Sequence, residues 1–564
     1  MPKKKINRNI IFIISIIVIS LIKLIIVNVQ PIYARYNMGY DDSLFIEQAN
    51  NIVEGNWLRE YNHKTLSKGI FTQVFMAGLY KIGIPFLLGQ EIFYILSCVT
   101  FIFMLKNIIK NKYILLAVFT ILLFNPITYS SNLLRTYRDG VYISLLIYLV
   151  SFSFMIFYNY KEKWTKLIKY FIGLGLTITS ICICREETIW VVPYIALSII
   201  ITILFLIFDK ECNNKIKKIS LYSIPIIIYI AVTVTIASLN YKYYNRFILN
   251  DYMSKEFQDA YGALTRIITQ EKPNKIPVTT AAREKAYEVS PSFNKLKDIL
   301  EDSLEGWATT TINGTKEING GYFFWTMRAA ADQVGYYKDA KTSKEYWEKV
   351  AKEINDACDE GKLGEVIGKR SGLTTPFSTS YIPDLISEFM NTIDYQTNFK
   401  GLKFDMTRVL KMESQKLEPI FAKITRNKLE INHEELTSFD KARIGILNGI
   451  YWLYKQANPV IFYMAILLYI FNIVFLFRKK SKFEGYKEMI LTSGILLIYL
   501  ARIFTITYIY VTAYPGIRTT QYLASCYVFQ SAFSILTIYS FLKNIKSIEN
   551  KRNLNKIIDK TQES

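Results

Sequence analysis

Met38-Gly39-Tyr40-Asp41-Asp42-Ser43 follows a long apolar run, Ile10 to Val29. That run meets the length of about 20 residues needed to cross a bilayer. Two adjacent carboxylates therefore stand at the mouth of a membrane segment. Acidic groups so close to lipid are costly unless they face water, a partner or a substrate. His63, Lys64 and Lys68 follow in the short stretch Asn62 to Gly69. A carboxylate can take a proton from a hydroxyl, and a lysine can hold a phosphate. The plainer alternative is that Asp41 or Asp42 caps a helix running through Phe45, Ile46, Ala49 and Val53.

The chain has 564 residues, 51% of them hydrophobic, and the apolar residues fall in blocks of membrane-spanning length. A net charge of +21 invites a nucleic-acid reading. The lysines, however, cluster at the ends of the apolar blocks, where they set topology, and no nucleic-acid partner is expected. Of the six cysteines only Cys358 falls in the large hydrophilic segment, so that segment holds no internal disulfide. Two histidines, His63 and His433, are too few for a histidine-based zinc site.

Lys3, Lys4, Lys5 and Arg8 precede the first block, and no small-residue cleavage site follows it, so it reads as a retained span. Further spans are expected at 85–105, 113–129, 140–158, up to Cys184, and at 188–208, 219–239, 459–477, 489–510 and 521–542. Lysine-rich loops after spans two, four, six and eight are inside by the positive-inside rule. This gives a multi-pass protein of the cell (plasma or inner) membrane with both termini cytoplasmic. Its expected parts are a membrane core, 1–239, with a first outer loop at 30–84; an extracytoplasmic, mostly helical domain, 240–458, between spans seven and eight; C-terminal spans, 459–542; and a basic cytoplasmic tail, 543–564. The same topology collects Asp41, Asp42, Lys68, Arg138, Asp139, Arg185, Glu186, Glu187 and Arg518 on the outer face.

Lys68 to Lys81 reads as an amphipathic interfacial helix. In the outer domain, Pro291 starts a helix carrying Phe293, Leu296, Ile299, Leu300, Leu304 and Trp307, and Tyr322–Val334 and Ser343–Cys358 read as two more. Tyr322-Phe323-Phe324-Trp325 reads as core, and Asn313-Gly314-Thr315 fits a glycosylation sequon. The domain carries no phosphate loop or nucleophile elbow, so it is expected to shape acceptor choice.

No nucleotide sugar is expected on an outer face, so an enzyme there needs an activated donor that arrives through the lipid. A polyprenyl-phosphate sugar meets that need: its phosphate calls for cations such as Lys68, Arg138, Arg185 and Arg518, and its transfer to an acceptor calls for a base such as Asp41 or Asp42. At these residues the chain resembles the GT-C glycosyltransferases, the polytopic class that includes protein O-mannosyltransferases and aminoarabinose transferases. The resemblance rests on Gly39-Tyr40-Asp41-Asp42 after the first span, Lys68-Gly69 opening an interfacial helix, Arg138-Asp139-Gly140 after the third span, and Arg518 with Tyr522-Leu523 in a late outer loop. Arg185-Glu186-Glu187, Tyr261 to Arg266 and Gly320 to Trp325 further resemble an uncharacterised bacterial subgroup found with surface-polysaccharide genes. The chain departs from the class in placing its large domain between spans seven and eight, and in having Gln521 where relatives have arginine.

The resemblance implies an all-α, GT-C-like fold of about ten membrane helices, and transfer of a sugar from a polyprenyl-phosphate donor to an outer-surface glycan, lipid or protein. In that reading Asp41 is the base, and Asp42 orients it or shares a divalent metal with Asp139. Lys68, Arg138 and Arg185 hold the donor phosphate, while Asp139, Glu186 and Glu187 set those arginines or bind acceptor hydroxyls. His63, Arg518 and Tyr522 complete the substrate side. The rival readings are a transporter or flippase of lipid-linked glycans, and a polysaccharide polymerase or ligase.

Overall fold

A computed structural model describes residues 8–33, 41–269, 275–302, 309–312, 314–402, 416–429, 434, 436–478 and 483–562. Met38 to Tyr40, Asn313, Leu304, Glu305, Trp307, His433, and the basic residues Lys3 to Lys5, Lys479, Lys480 and Lys482 lie outside those residues.

Among the described residues, ten helices are long and apolar enough to cross a membrane: Arg8–Val27, Phe86–Leu105, Lys112–Tyr129, Asp139–Tyr158, Trp164–Cys184, Thr188–Phe208, Lys215–Tyr244, Ser438–Phe477, Gly485–Thr512 and Ala524–Ser547. They are called the first to tenth spans below. The fourth is the central one, 89% buried along its most apolar window, and it packs between the second and the fifth. The first span leaves Ile13, Ile14, Ile17 and Leu21 about half exposed. An apolar stripe of that kind suits lipid tails, which are as apolar as the side chains that meet them.

Among the spans and what packs on them, three features differ from the sequence-based expectation. The helix of the eighth span runs Ser438–Arg478, 41 residues with Pro459 inside it. At 1.5 Å per residue that is about 60 Å, roughly twice the hydrocarbon thickness, so the expected start at 459 falls in mid-helix. The last helix runs unbroken from Ala524 to Gln562, so the basic tail continues the tenth span. The third difference is Ile382–Thr397, which the sequence places in the hydrophilic domain but which packs on the ninth and tenth spans. Its Gln396 donates to Gln530 Oε1 at 2.9 Å and accepts from Tyr499 Oη at 2.9 Å. Asn458 donates to the same Gln530 oxygen at 2.9 Å, and Gln530 donates to Thr397 Oγ1 at 2.9 Å. Without these partners such polar groups would be too costly to bury among apolar spans.

The hydrophilic domain has its own core, in which Phe257, Tyr261 and Leu264 meet Phe323, Met327, Trp347 and Ile354. The helix expected from Pro291 is broken into Pro291–Asn294 and Lys297–Asp302. The other two expected helices are observed as Gly320–Gln333 and Ala340–Asp359. The unexpected element is an antiparallel pair of strands, Thr309–Ile312 with Thr315–Ile318.

The buried amide network generates a stability prediction. Gln396→Leu leaves Tyr499 and Gln530 short of a partner and should cost about 1–3 kcal/mol, read as a lowered Tm of the detergent-purified protein. An unchanged Tm would mean that Ile382–Thr397 is not seated against the spans.

Candidate active site

The first loop reaches the site through two helices, Asp42–Glu54 and Phe71–Lys81, which pack against each other. Asp41 stands at the N-cap position but makes no side-chain cap bond. Its carboxylate turns instead to Lys68, with Nζ to Oδ1 at 3.2 Å. Lys68 is delivered by a tight turn in which Thr65 Oγ1 donates to the Glu60 carbonyl at 2.7 Å and Ser67 Oγ donates to the Lys64 carbonyl at 2.7 Å. The next residue must be glycine, since a Cβ at Gly69 would stand 2.4 Å from the Ile183 carbonyl oxygen. That close approach lets the Gly69 N–H donate to Glu186 Oε1. The Lys68 ammonium also lies 4.8 Å from the centre of the Trp325 ring, a cation–π contact that brings the hydrophilic domain over the site.

Asp42 is different in kind: its side chain is wholly buried and takes a two-pronged bond from Arg135, Nε to Oδ1 at 3.0 Å and Nη2 to Oδ2. Arg135 also donates to Gln521 Oε1, and the Gln521 amide donates to Asp139 Oδ2 at 3.2 Å. Asp139 accepts from Arg185 at 2.7 Å. Arg185 donates in turn to Glu187 at 2.8 Å, and Arg138 to Glu186 at 2.5 Å. Aromatic rings close the cluster: Tyr142 and Tyr522 lie 5.1 and 5.7 Å from the Arg185 guanidinium carbon, and Tyr137 lies 5.1 and 5.6 Å from those of Arg135 and Arg138.

Burial and neighbouring charge act against each other here. Burial pushes the Asp41 carboxyl up, but Lys68, Arg135 and Arg138 outweigh it and hold the group below the ordinary carboxylate range. Glu187 is held low in the same way by Arg138 and Arg185. Burial lowers Arg138 and Arg185, yet their carboxylate neighbours hold both above the usual guanidinium value. Burial raises the Tyr522 hydroxyl to about 12.

Asp41, Asp42, Lys68, Arg138, Asp139, Arg185, Glu186, Glu187 and Tyr522 thus come together. Two expected members do not. His63 pairs with Asp332, and its carbonyl takes two bonds from Arg328, the shorter at 2.6 Å; it clamps the first loop to the hydrophilic domain. Arg518 pairs with Glu388 and stacks 4.2 Å from the centre of the Tyr510 ring. The suggested metal between Asp42 and Asp139 does not fit, because guanidinium groups already occupy both carboxylates. No group of three or more His, Cys, Asp or Glu among the described residues converges on an ion position. Arg138 and Arg185 are also more deeply held than expected, with side chains 6% and 0% exposed. The accessible groups are the Asp41 carboxylate, 26% exposed, and that of Glu187, 38% exposed.

Sequence reasoning gave no role to Arg135 or to Trp325. Arg135 stands in the same charged loop as Arg138, but only the fold shows that it is the partner of Asp42. The pattern around Trp325 reads as core, but Phe323 alone of its cluster is fully buried and Trp325 faces Lys68.

No protein-family model matches the chain, and no curated protein matches it. Among solved structures, ArnT from Cupriavidus metallidurans in the apo state aligns with a TM-score of 0.31 and 9% identity, over 93% of this chain and 77% of that one. ArnT from the same organism bound to undecaprenyl phosphate aligns with a TM-score of 0.28 and 10% identity, over 89% and 77%. Likenesses this loose carry no assignment of activity.

The two aspartates should separate cleanly in a stability measurement. Asp42→Asn breaks a buried pair and should cost about 3–5 kcal/mol, whereas Asp41→Asn removes a partly exposed pair and should cost under about 1 kcal/mol. Equal shifts in Tm for the two variants would contradict the division of roles.

Proposed function

We propose that the protein is a membrane glycosyltransferase of the GT-C type, moving a sugar from a polyprenyl-phosphate donor to a hydroxyl or amine of a glycan, lipid or protein. The observation that supports this best is the Asp41–Lys68 pair: an accessible carboxylate and an ammonium joined by a single 3.2 Å contact, at the ends of the spans where a lipid-linked phosphate sits.

In this reading the donor phosphate draws the Lys68 ammonium away from Asp41. Losing that neighbour raises the basicity of the carboxylate, which then accepts the acceptor's proton. The acceptor oxygen or nitrogen bonds to the anomeric carbon as the bond from that carbon to the phosphate oxygen breaks. Polyprenyl phosphate leaves with its negative charge facing Lys68, and Arg138 and Arg185 reinforce the field from behind as preorganised cations. Glu187, the other accessible carboxylate, is placed to hold acceptor hydroxyls. The flippase reading draws on a different observation, the buried Lys23 and Glu91, 3.9 Å apart inside the spans, since intramembrane charges often mark transport paths.

The decisive measurement is the product mass when the purified protein is given a polyprenyl-phosphate sugar and a membrane extract. Asp41→Asn should slow transfer by about 100-fold, the size expected of a positioned base, with donor binding kept; Lys68→Ala should weaken donor binding. Full activity in both variants would refute the roles given to Asp41 and Lys68, and no transfer product from the wild type would favour the flippase.

We further propose that the hydrophilic domain faces the outside of the cell and both termini the cytoplasm. Lys338 is exposed on that domain, and none of the native cysteines is. Lys338→Cys should therefore be labelled by a membrane-impermeant maleimide in intact cells. Protection there, with labelling after lysis, would reverse the topology.

A further inference from the structure

A cavity of about 430 Å³ lies where the end of the first span meets the start of the second, lined there by Gln30, Gln90 and Glu91 and at its rim by Arg426, Lys428 and Arg443. It shares a wall with the charged cluster. Leu134 lines the cavity and directly precedes Arg135, and Gln90 packs so closely on Gly140 that a Cβ there would stand 2.1 Å from Gln90 Oε1.

Two buried acceptors on the wall of this cavity are not satisfied by the protein. Gln90 is 5% and Glu91 7% exposed. The Gln90 amide donates to the Leu133 carbonyl at 3.2 Å, but its Oε1 receives no hydrogen bond, and neither does Glu91 Oε2. The cation near Glu91, Lys23, stands 3.9 Å away and already donates to Thr128 at 2.8 Å. Buried acceptors without donors are uncommon and costly, and two of them on one cavity wall call for a ligand that brings hydrogen-bond donors. The rim has the opposite character. Arg443 is paired with Asp440, while Arg426 rests 4.8 Å from the centre of the Tyr80 ring. Arg426 and Lys428 have no carboxylate partner among the described residues. Exposed cations without a described carboxylate partner suit an anion.

We propose that this cavity binds a phosphate ester carrying free hydroxyls, with the phosphate at Arg426 and Lys428 and the hydroxyls donating to Glu91 and Gln90. The same chemistry can come from a lipid headgroup or from a free sugar or glycerol phosphate. The assignment stands apart from the transfer reaction, because it uses none of the residues given a role there.

Calorimetry on the delipidated full-length protein with sn-glycerol 1-phosphate and methyl phosphate tests it. The wild type should prefer glycerol phosphate by about tenfold, as expected for one or two hydrogen bonds to buried acceptors. Arg426→Ala with Lys428→Ala, both at exposed positions, should weaken both ligands by about tenfold or more. Glu91→Met should reduce the preference for glycerol phosphate towards one. Nanodiscs of phosphatidylglycerol or phosphatidylcholine, read by native mass spectrometry, identify the source. Selective retention of phosphatidylglycerol assigns a lipid headgroup, and binding of glycerol phosphate without that retention assigns a soluble ester. No binding of glycerol phosphate or phosphatidylglycerol, equal affinity for the two soluble probes, or unchanged binding in the double variant would each overturn the proposal.

Discussion

The bidentate pair between Asp42 and Arg135 fixes the rest of the site. It is wholly buried on the aspartate side, where charges attract strongly but only if both are present. It joins the first helix of the first loop to the loop between the third and fourth spans. Through Gln521 it reaches Asp139 and the start of the tenth span. Segments far apart in sequence thus converge on one connected chain of charge-assisted bonds. Asp41, the next residue, is held at the edge of that chain with its carboxylate free to meet solvent.

The cluster balances its own charges. Arg135, Arg138 and Arg185 each have a carboxylate partner, and the neighbouring Arg502 donates instead to the Tyr522 carbonyl at 2.9 Å, so positive and negative groups are close to evenly matched. On the proposed reading, a ligand phosphate gains least by displacing Asp42 or Asp139, whose partners are enclosed, and most by engaging Lys68, whose one carboxylate partner, Asp41, is partly exposed. Such an arrangement separates holding from exchanging: the arginines keep the geometry and the lysine can change partners.

The ten spans were legible because apolar length and lysine asymmetry are coarse, cumulative signals. Asp139, Arg185, Glu186 and Glu187 were legible as ionisable residues at span ends on one face. Pairing was not. Asp42 and Arg135 are far apart in the chain, and Arg138, three residues on, carries the same charge, so only the fold tells the two arginines apart. His63 and Arg518 sit apart from the cluster for a related reason: each meets a carboxylate, Asp332 or Glu388, from the segment between the seventh and eighth spans. Ile382–Thr397 was missed because its sequence is half polar, and its apolar residues say that it is amphipathic without saying what it meets.

That helix also bears on how the hydrophilic domain rides on the membrane. Its outer face shows Ile382, Ile386 and Met390, one turn apart, while its other face is bonded to Gln530 and Tyr499. One side is therefore an exposed apolar stripe of the kind that suits lipid, and the other is anchored to the spans, as a keel is to a hull. A rocking motion of the domain that lifted this segment would have to pull Gln396 and Thr397 out of their bonds and leave polar groups bare among apolar helices. The domain's position relative to the spans is thus set by the protein's own polar seat, and differences in local membrane thickness are left for the lipid to absorb.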